Sequence, residues 1–348
     1  MTRVVAYSQL LVKSGVERSY LLGRERLKNL AECRSLEELA SQLKDSPYAH
    51  LIRDVQHPTA AVLQQLFKKE FVRLCKRIMD FSPKHAEAFI RSYLRYLEIE
   101  NLKILIKMKN IGVPSDSILS TLNLYVEEIF GMKEKFVQAA RAEDVNAVIG
   151  AFRNTIYGPI LSEGLTRYRE VKSTRFFDFS LDRAYHDELL LSAESLPRRE
   201  REIALLMAGP KVDAFNIMVA FRSKFLGFPP HLTFWAITHR FYRLSEKQVR
   251  SMVLSDSISS MLNYVKESFY GRFLVSRGNI EELITDFERG VNRFILKSMH
   301  EKRITDPFTI ATPLEMVLRK ENEMKNLISI SSGIEFGWKP EDIISVLL

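Results

Sequence analysis

Apolar side chains recur three or four positions apart along most of this chain, and this period constrains its fold more than any other feature. In one clear stretch the apolar positions are Leu63, Leu66, Phe67, Phe71, Leu74, Cys75 and Ile78. Lysines and arginines fill many of the positions between them, so the stretch has one apolar and one charged side. Patterns of the same kind recur at about 84–97, 144–172, 197–224 and 312–332. Such a period is typical of amphipathic α-helices.

Glycine and proline are too scarce here for a fold that reverses direction often. The 348 residues include only 14 Gly and 12 Pro. A β-sandwich or β-barrel needs turn residues about every eight to twelve positions. Strand-like alternation is clearest at residues 175–180, which read RFFDFS, and that stretch is short. We therefore predict an all-α protein.

The net charge and the two cysteines limit the binding partners, the kinds of site and the cellular location to be expected. A net charge of +8 predicts attraction to something anionic, such as nucleic acid, a lipid surface or an acidic protein face. Cys33 and Cys75 belong to no CxxC or Cys–His motif, so neither a zinc site nor a disulfide framework is expected. The N-terminal residues lack the apolar core of a signal peptide, and no stretch approaches the ~18 consecutive apolar residues of a membrane span. We expect a cytoplasmic protein that works at a membrane only from its surface.

An acid-x-x-Asn segment occurs three times in the same setting. In each copy a branched aliphatic residue follows the Asn, a Gly lies eleven residues after it, and a Pro comes soon after that Gly. The acid, Asn and Gly of the three copies are Glu98, Asn101 and Gly112; Asp213, Asn216 and Gly227; and Glu323, Asn326 and Gly337.

A second, weaker series precedes the first and supports an internal repeat. Its first two copies are Leu36, Leu39, Leu43 and Tyr48, and Val145, Val148, Phe152 and Tyr157. The third copy is placed at Ile280, Leu283 and Phe287, with Asn292 where the Tyr should stand. Helix N-caps are expected just before each copy, at Ser35, Asp144 and Asn279. We predict three related units at 1–118, 119–240 and 241–348.

The repeated segment has two physical interpretations. A Gly followed by a nearby Pro ends a helix, and eleven residues place the Asn and the Gly on one stripe of it. Because Asn is a mediocre helix former, its repeated use suggests that its amide fixes a neighbouring loop or helix end. We interpret the nine residues mainly as a structural polar lock within each unit. The alternative is a surface stripe that contacts a partner, and catalysis is the interpretation least supported.

With these segments in view, the chain resembles the C subunit of archaeal and bacterial A/V-type ATPases, the counterpart of the eukaryotic vacuolar ATPase d subunit. The segments that carry the resemblance are 96–103, 153–160, 179–189, 211–224 and 321–330. It implies three pseudo-equivalent helical domains arranged as a funnel with pseudo-threefold symmetry. It further implies a place on the cytoplasmic face of the membrane, where the funnel stands on the proteolipid c-ring and receives the foot of the shaft made by the D and F subunits.

The resemblance also implies a non-catalytic function. Such a subunit transmits torque for ATP synthesis or hydrolysis coupled to proton or sodium transport, and it meets the membrane only through the ring. The sequence contains no GxxxxGK[ST], GxGxxG or HExxH motif, so we expect no catalytic, cofactor-binding or metal-binding residues. The basic runs at 68–77 and 196–202 keep a helical period typical of solvated faces, so no nucleic-acid partner is expected. The alternative is a basic helical scaffold or nucleic-acid-binding protein unrelated to ATPases.

Overall fold

The computed structural model describes residues 3–171, 173–275 and 280–348, and over these residues it is helical and contains no strand. This confirms the predicted all-α class. The best strand candidate, at 175–180, forms the first turns of the helix Arg175–Glu194. Phe176, Phe177, Ser180 and Leu181 are buried, and their spacing marks one helical face.

The helices follow one another through short connections. In the first half of the chain they are α1 (Arg3–Ser19), α2 (Arg24–Ala31), α3 (Leu36–Leu43), α4 (Ala49–Ile52), α5 (Ala60–Asp80), α6 (Lys84–Asn110), α7 (Ser115–Thr121), α8 (Leu124–Phe130), α9 (Lys133–Ala140), α10 (Val145–Ala151) and α11 (Tyr157–Val171). The remainder are α12 (Arg175–Glu194), α13 (Arg198–Phe225), α14 (Pro230–Ala236), α15 (Glu246–Leu254), α16 (Ile258–Lys266), α17 (Ile280–Thr305), α18 (Ala311–Glu335) and α19 (Pro340–Ser345), with a 3₁₀ turn at Phe269–Phe273.

The chain forms two compact units. Unit 1 comprises Met1–Ile90 and Met299–Leu348, so it joins both ends of the sequence, and unit 2 comprises Arg91–Ser298. The predicted division into three units at 118/119 and 240/241 stays a prediction.

Helix α18 is the central element of unit 1. It packs along α5 and also contacts α1, α2, α3 and α19. Because it is surrounded, it buries polar side chains as well as apolar ones, among them Glu315, Lys320, Glu323 and Asn326. A buried polar group is costly unless it has a hydrogen-bond partner, so these residues must be paired within unit 1.

Helix α13 is the corresponding central element of unit 2. It packs against α12 and contacts α14, α15 and α16, while α11 and α12 form a second long pair. Among the described residues, α13 is the one helix long and apolar enough to cross a membrane by length and composition. Since 78% of its apolar window is buried within the protein, it is typical of a core helix.

The short helices that carry the second series begin with the same cap. Ser35, Asp144 and Ser257 each accept a hydrogen bond through the side chain from the backbone N–H three residues later. The caps at Ser35 and Asp144 were predicted. The predicted cap Asn279 lies outside the described residues.

The predicted third copy of this series is wrong. Ile280, Leu283, Phe287 and Asn292 lie in the long helix α17, whereas the first two copies begin in short helices. The matching short helix is α16, where Ile258, Met261 and Val265, followed by Tyr270, reproduce the offsets of the first two copies. The error has a simple cause, since any amphipathic helix supplies apolar residues at such spacings.

Candidate functional site

The acids and asparagines of the repeated segment are all buried, and in each copy a buried tyrosine from elsewhere in the chain donates a hydrogen bond to the acid. We call these groups the first, second and third clusters. They consist of Glu98, Asn101 and Tyr157; Asp213, Asn216 and Tyr270; and Glu323, Asn326 and Tyr48. The first two clusters lie in unit 2 and the third lies in unit 1.

In the first cluster, the hydroxyl of Tyr157 donates to Oε2 of Glu98. Oδ1 of Asn101 accepts from the backbone N–H of Asn123 at 3.0 Å, and Nδ2 donates to the carbonyl of the same residue at 2.9 Å. The Asn101 amide therefore pairs with a backbone N–H and C=O as another peptide group would. Nδ2 also donates to Oε1 of Glu127 at 2.6 Å, which brings a second buried carboxyl group into the cluster.

The second cluster holds the chain that leads into α15. Oδ1 of Asp213 accepts from the backbone N–H of Tyr242 at 3.0 Å, and Oδ2 accepts from those of Arg243 at 2.7 Å and Leu244 at 3.1 Å. The hydroxyl of Tyr270 donates to Oδ2 at 2.8 Å. Four donors therefore satisfy one buried carboxyl group.

The amide of the second cluster fixes a different segment. Oδ1 of Asn216 accepts from the backbone N–H of Thr238 at 2.9 Å, and Nδ2 donates to Oγ1 of the same threonine at 2.9 Å. Both partners are buried, so water cannot replace these bonds when they are lost.

The third cluster contains a buried cation. Glu323 accepts from the Tyr48 hydroxyl at 2.7 Å, from the backbone N–H of Leu22 at 2.5 Å and from Nζ of Lys320 at 2.6 Å. The same Nζ lies 4.4 Å from the centroid of the Tyr48 ring, a distance that suits a cation–π contact. Oδ1 of Asn326 accepts from the backbone N–H of Leu348 at 2.7 Å.

One geometric relation is common to the three clusters. In each, the Asn side-chain oxygen accepts the N–H of a residue 22 positions further along the chain. Between the two residues, the helix ends at a glycine with φ of 76° at Gly112, 68° at Gly227 and 69° at Gly337. A short helix follows, and the Asn fixes the chain that leaves it. The glycine thus reverses the chain, and the asparagine holds the returning segment.

Sequence reasoning missed several members of the clusters. Tyr270, Glu127, Lys320 and the backbone partners of the asparagines were not identified. A Ser/Thr-x-Tyr signal was available, because Ser46, Thr155 and Ser268 each accept the N–H of the cluster tyrosine through the side-chain hydroxyl, at 3.2, 3.1 and 3.1 Å.

Comparison with known proteins identifies the family. The model of the ATP synthase (C/AC39) subunit family matches residues 13–346. This chain belongs to that family. It is 24% identical to the C subunit of the A-type ATP synthase of Methanocaldococcus jannaschii, over 99% of this chain and 86% of the relative. It is 26% identical to the protein of the same name from Thermococcus onnurineus, over 93% of this chain and 85% of the relative.

The family assignment confirms the resemblance seen in the sequence. It also shows that the alternative of a scaffold or nucleic-acid-binding protein unrelated to ATPases is wrong. The three clusters are therefore features of an ATP synthase (C/AC39) family member. Within the described part of the chain, no group of three or more His, Cys, Asp or Glu side chains could hold a metal ion.

The clusters differ in their electrostatics although they share one geometry. Burial raises the pKa of Glu98 to about 7, against the opposing effect of the Tyr157 hydrogen bond. Burial, together with the charge of Glu98, raises the pKa of Glu127 to about 9. Burial also raises the pKa of Asp213, although its four donors oppose that change. The first cluster therefore holds two carboxyl groups that take up protons far more readily than exposed ones.

The amide of the second cluster gives a direct stability test. We expect Asn216→Leu to lower the free energy of unfolding by about 1–3 kcal/mol, because the N–H and hydroxyl of Thr238 lose a buried partner. Urea unfolding measures the change. Asn263→Leu is the control, since Asn263 is exposed in α16 and should alter stability by less than about 0.5 kcal/mol. A protein with Asn216→Leu as stable as the control would contradict the structural role.

The first cluster gives a pH test at Glu127. Its raised pKa stabilises the fold fully below the unfolded-state value of 4.5, and this contribution is lost as the pH rises toward about 9. We expect the stability of the wild type relative to Glu127→Gln to fall over that window, by up to about 1.4 kcal/mol per pH unit. Urea unfolding at about pH 5, 7 and 9 measures this difference.

The neighbouring residue provides the matched control for this test. Glu128 is exposed and pairs with Lys133 at 2.8 Å, so Glu128→Gln should follow the pH dependence of the wild type. Parallel stability curves for wild type and Glu127→Gln would show that the carboxyl group of residue 127 titrates as an exposed one does.

Proposed function

We propose that this chain is the non-catalytic coupling subunit of a rotary A/V-type ATPase. It links the shaft formed by the D and F subunits to the membrane proteolipid c-ring and transmits torque between ATP turnover and ion transport. Its three sequence repeats, 1–118, 119–240 and 241–348, form a funnel with pseudo-threefold symmetry. It lies on the cytoplasmic face of the membrane and is attached there through the ring.

One observation carries this proposal, namely the cyclic order of the three acid–tyrosine bonds. Glu98 in the first repeat is bonded by Tyr157 of the second, and Asp213 in the second repeat is bonded by Tyr270 of the third. Glu323 in the third repeat is bonded by Tyr48 of the first. Each repeat is thus joined to the next and the last to the first, as a closed arrangement around an axis requires. An open stack of repeats would leave one acid and one tyrosine without partners.

Such an arrangement suits a part that must transmit rotation. A socket has to resist deformation when torque is applied, so its repeats need contacts that are costly to break. Breaking a hydrogen bond to a buried carboxyl group leaves an unsatisfied polar group, which costs more than losing an exposed contact. Three such bonds in cyclic order would stiffen the socket from within.

The same bonds support a non-catalytic role for the repeated acids. Asp213 is enclosed by three backbone N–H groups and a tyrosine hydroxyl, and Glu323 by a lysine, a tyrosine and a backbone N–H. These carboxyl groups are buried and occupied in holding the chain. The relatives, which are named as C subunits of A-type ATP synthases, support a structural place in such a complex.

A binding experiment tests the proposal. The purified chain is mixed with a purified D–F shaft and, separately, with the purified proteolipid ring, and complexes are detected by size-exclusion chromatography. We expect a complex with each partner. The net charge of +8 predicts that binding to acidic surfaces weakens as the salt concentration rises. If neither partner forms a complex, the proposed function is wrong.

A functional experiment tests the mechanical role separately. We expect an ATPase assembled without this chain to keep ATP hydrolysis by its head and to lose ion pumping, because the rotation no longer reaches the ring. Hydrolysis is measured by phosphate release, and pumping by a pH- or ion-sensitive dye in sealed vesicles. Adding the purified chain should restore pumping. Pumping at the normal rate in its absence would contradict torque transmission through this chain.

A further inference from the structure

Three arginine side chains of unit 1 converge on one buried carboxyl group. Oε2 of Glu315 accepts from Nη2 of Arg18 at 2.5 Å and lies 2.8 Å from Nε of Arg303. Oε1 of Glu315 accepts from Nε of Arg319 at 2.8 Å, and Nδ1 of His300 lies 2.8 Å from the same oxygen. We call Arg18, Arg303 and Arg319 the arginine site. None of its residues belongs to the three clusters.

Three helices supply the arginine site. Arg18 stands in the last turn of α1. His300 and Arg303 are three positions apart near the end of α17, and Glu315 and Arg319 are four apart on α18. Residues three or four positions apart lie on the same face of a helix. The sequence spacing therefore places each pair on one helical face, while only the packing of the fold adds Arg18.

The charges of the arginine site do not balance. Burial raises the pKa of Glu315, but hydrogen bonds from Arg319 and His300, with the charges of Arg319 and Arg18, outweigh it and hold the pKa below its usual value. Glu315 therefore carries a negative charge. Within the described part of the chain, no other carboxylate pairs with these arginines. Three guanidinium groups against one carboxylate leave an excess of two positive charges.

This excess acts on Arg18. Burial lowers the pKa of its guanidinium group, and the charges of Arg303 and Arg319 lower it further against the opposing effect of Glu315. Like charges around one carboxyl group repel each other, and the repulsion grows where water is excluded. The side chain of Glu315 is wholly buried, so water screens this group of charges poorly. An anion bound to the arginines would offset the repulsion.

A second group of charges in unit 1 is balanced. Arg77 donates to Glu17 at 2.8 and 3.0 Å and lies 3.5 Å from Glu70, and Arg73 lies 3.9 Å from Glu70. Two guanidinium groups here face two carboxylates. Burial lowers the pKa of Arg77, but the hydrogen bond and charge of Glu17 outweigh it, so the pKa is raised. The pKa of Arg18 moves in the opposite direction, as the excess charge around it requires.

The arginine site also has N–H donors to spare. A guanidinium group carries five N–H donors. Arg303 donates no hydrogen bond to the described residues, and Nε of Arg18 has no partner among them. The side chains of Arg18, Arg303 and Arg319 are 30%, 18% and 32% exposed. A ligand from solution can therefore reach the guanidinium groups, whereas the carboxylate beneath them is closed to it.

We propose that the arginine site binds a phosphate group. A phosphate carries close to two negative charges at neutral pH and would offset the excess of two positive charges, whereas a carboxylate carries one. Its oxygens can accept from guanidinium groups that approach from three helices, and the planar fork of arginine suits phosphate. The phosphate belongs either to a soluble compound or to a phospholipid headgroup, since both present the same chemistry. The proposed coupling function does not depend on this site.

Calorimetric titration of the full chain with inorganic phosphate tests the site. We expect saturable binding that potassium chloride at the same ionic strength does not reproduce, because chloride only screens the charges. Arg303→Gln should weaken binding about tenfold or more, the effect of losing a charged donor. Arg303→Lys keeps the charge without the planar fork and should weaken it less. Phosphate should also raise the thermal unfolding temperature of the wild type, since it binds the folded state.

Arg73→Gln is the matched control. It also removes one guanidinium group of unit 1 beside a buried glutamate, but from the balanced group of charges, so it should bind phosphate as the wild type does. Arg303→Gln should still fold, because Arg18, Arg319 and His300 continue to bond Glu315, and thermal unfolding without phosphate checks this. Equal phosphate affinity in the wild type and Arg303→Gln, or equal loss in Arg303→Gln and Arg73→Gln, would overturn the assignment.

Two further probes identify the source of the phosphate. Binding of inorganic phosphate or ADP that Arg303→Gln weakens would assign a soluble compound. Co-sedimentation with phosphatidylcholine vesicles that contain phosphatidic acid, but not with vesicles that lack it, would assign a lipid headgroup if Arg303→Gln abolishes it. If the wild type binds none of these probes, the site is not a phosphate site, and loss of the ring or the shaft in Arg303→Gln would then assign the arginines to a protein contact.

Discussion

The hydrogen bond between a buried carboxyl group and a tyrosine hydroxyl is the interaction on which the rest of this structure depends. A buried carboxyl group is costly unless its environment satisfies it or keeps it protonated. The three clusters meet this requirement in different ways. Glu98 has a raised pKa, Asp213 has three backbone N–H donors, and Glu323 has the ammonium group of Lys320. What the repeats share is the position of the acid and its tyrosine, while the means of stabilising the charge vary.

The first and third clusters differ in the charged groups that surround the acid. The cluster at Glu323 contains a buried lysine, Lys320, whose ammonium group balances the carboxylate. The cluster at Glu98 contains a second buried carboxyl group, Glu127, whose Oε2 accepts no hydrogen bond from the residues that the structure describes. Burial raises the pKa of Glu98 and of Glu127, so the bonding in the first cluster depends on protonation. Clusters of similar geometry thus differ in the charged groups that they bury.

The sequence predicted those features of the clusters that lie on a single helix. The acid, the Asn and the Gly are related by fixed helical spacing, so three copies could be aligned without knowledge of the fold. The tyrosines are different, because they bond acids 59, 57 and 275 positions away, and only the packing of separate helices brings them together. Tyr270 was missed for a local reason, since the apolar period of α17 resembles that of the short helix which carries the true third copy. Glu127 has no sequence mark at all, because burial alone distinguishes it from the exposed Glu128.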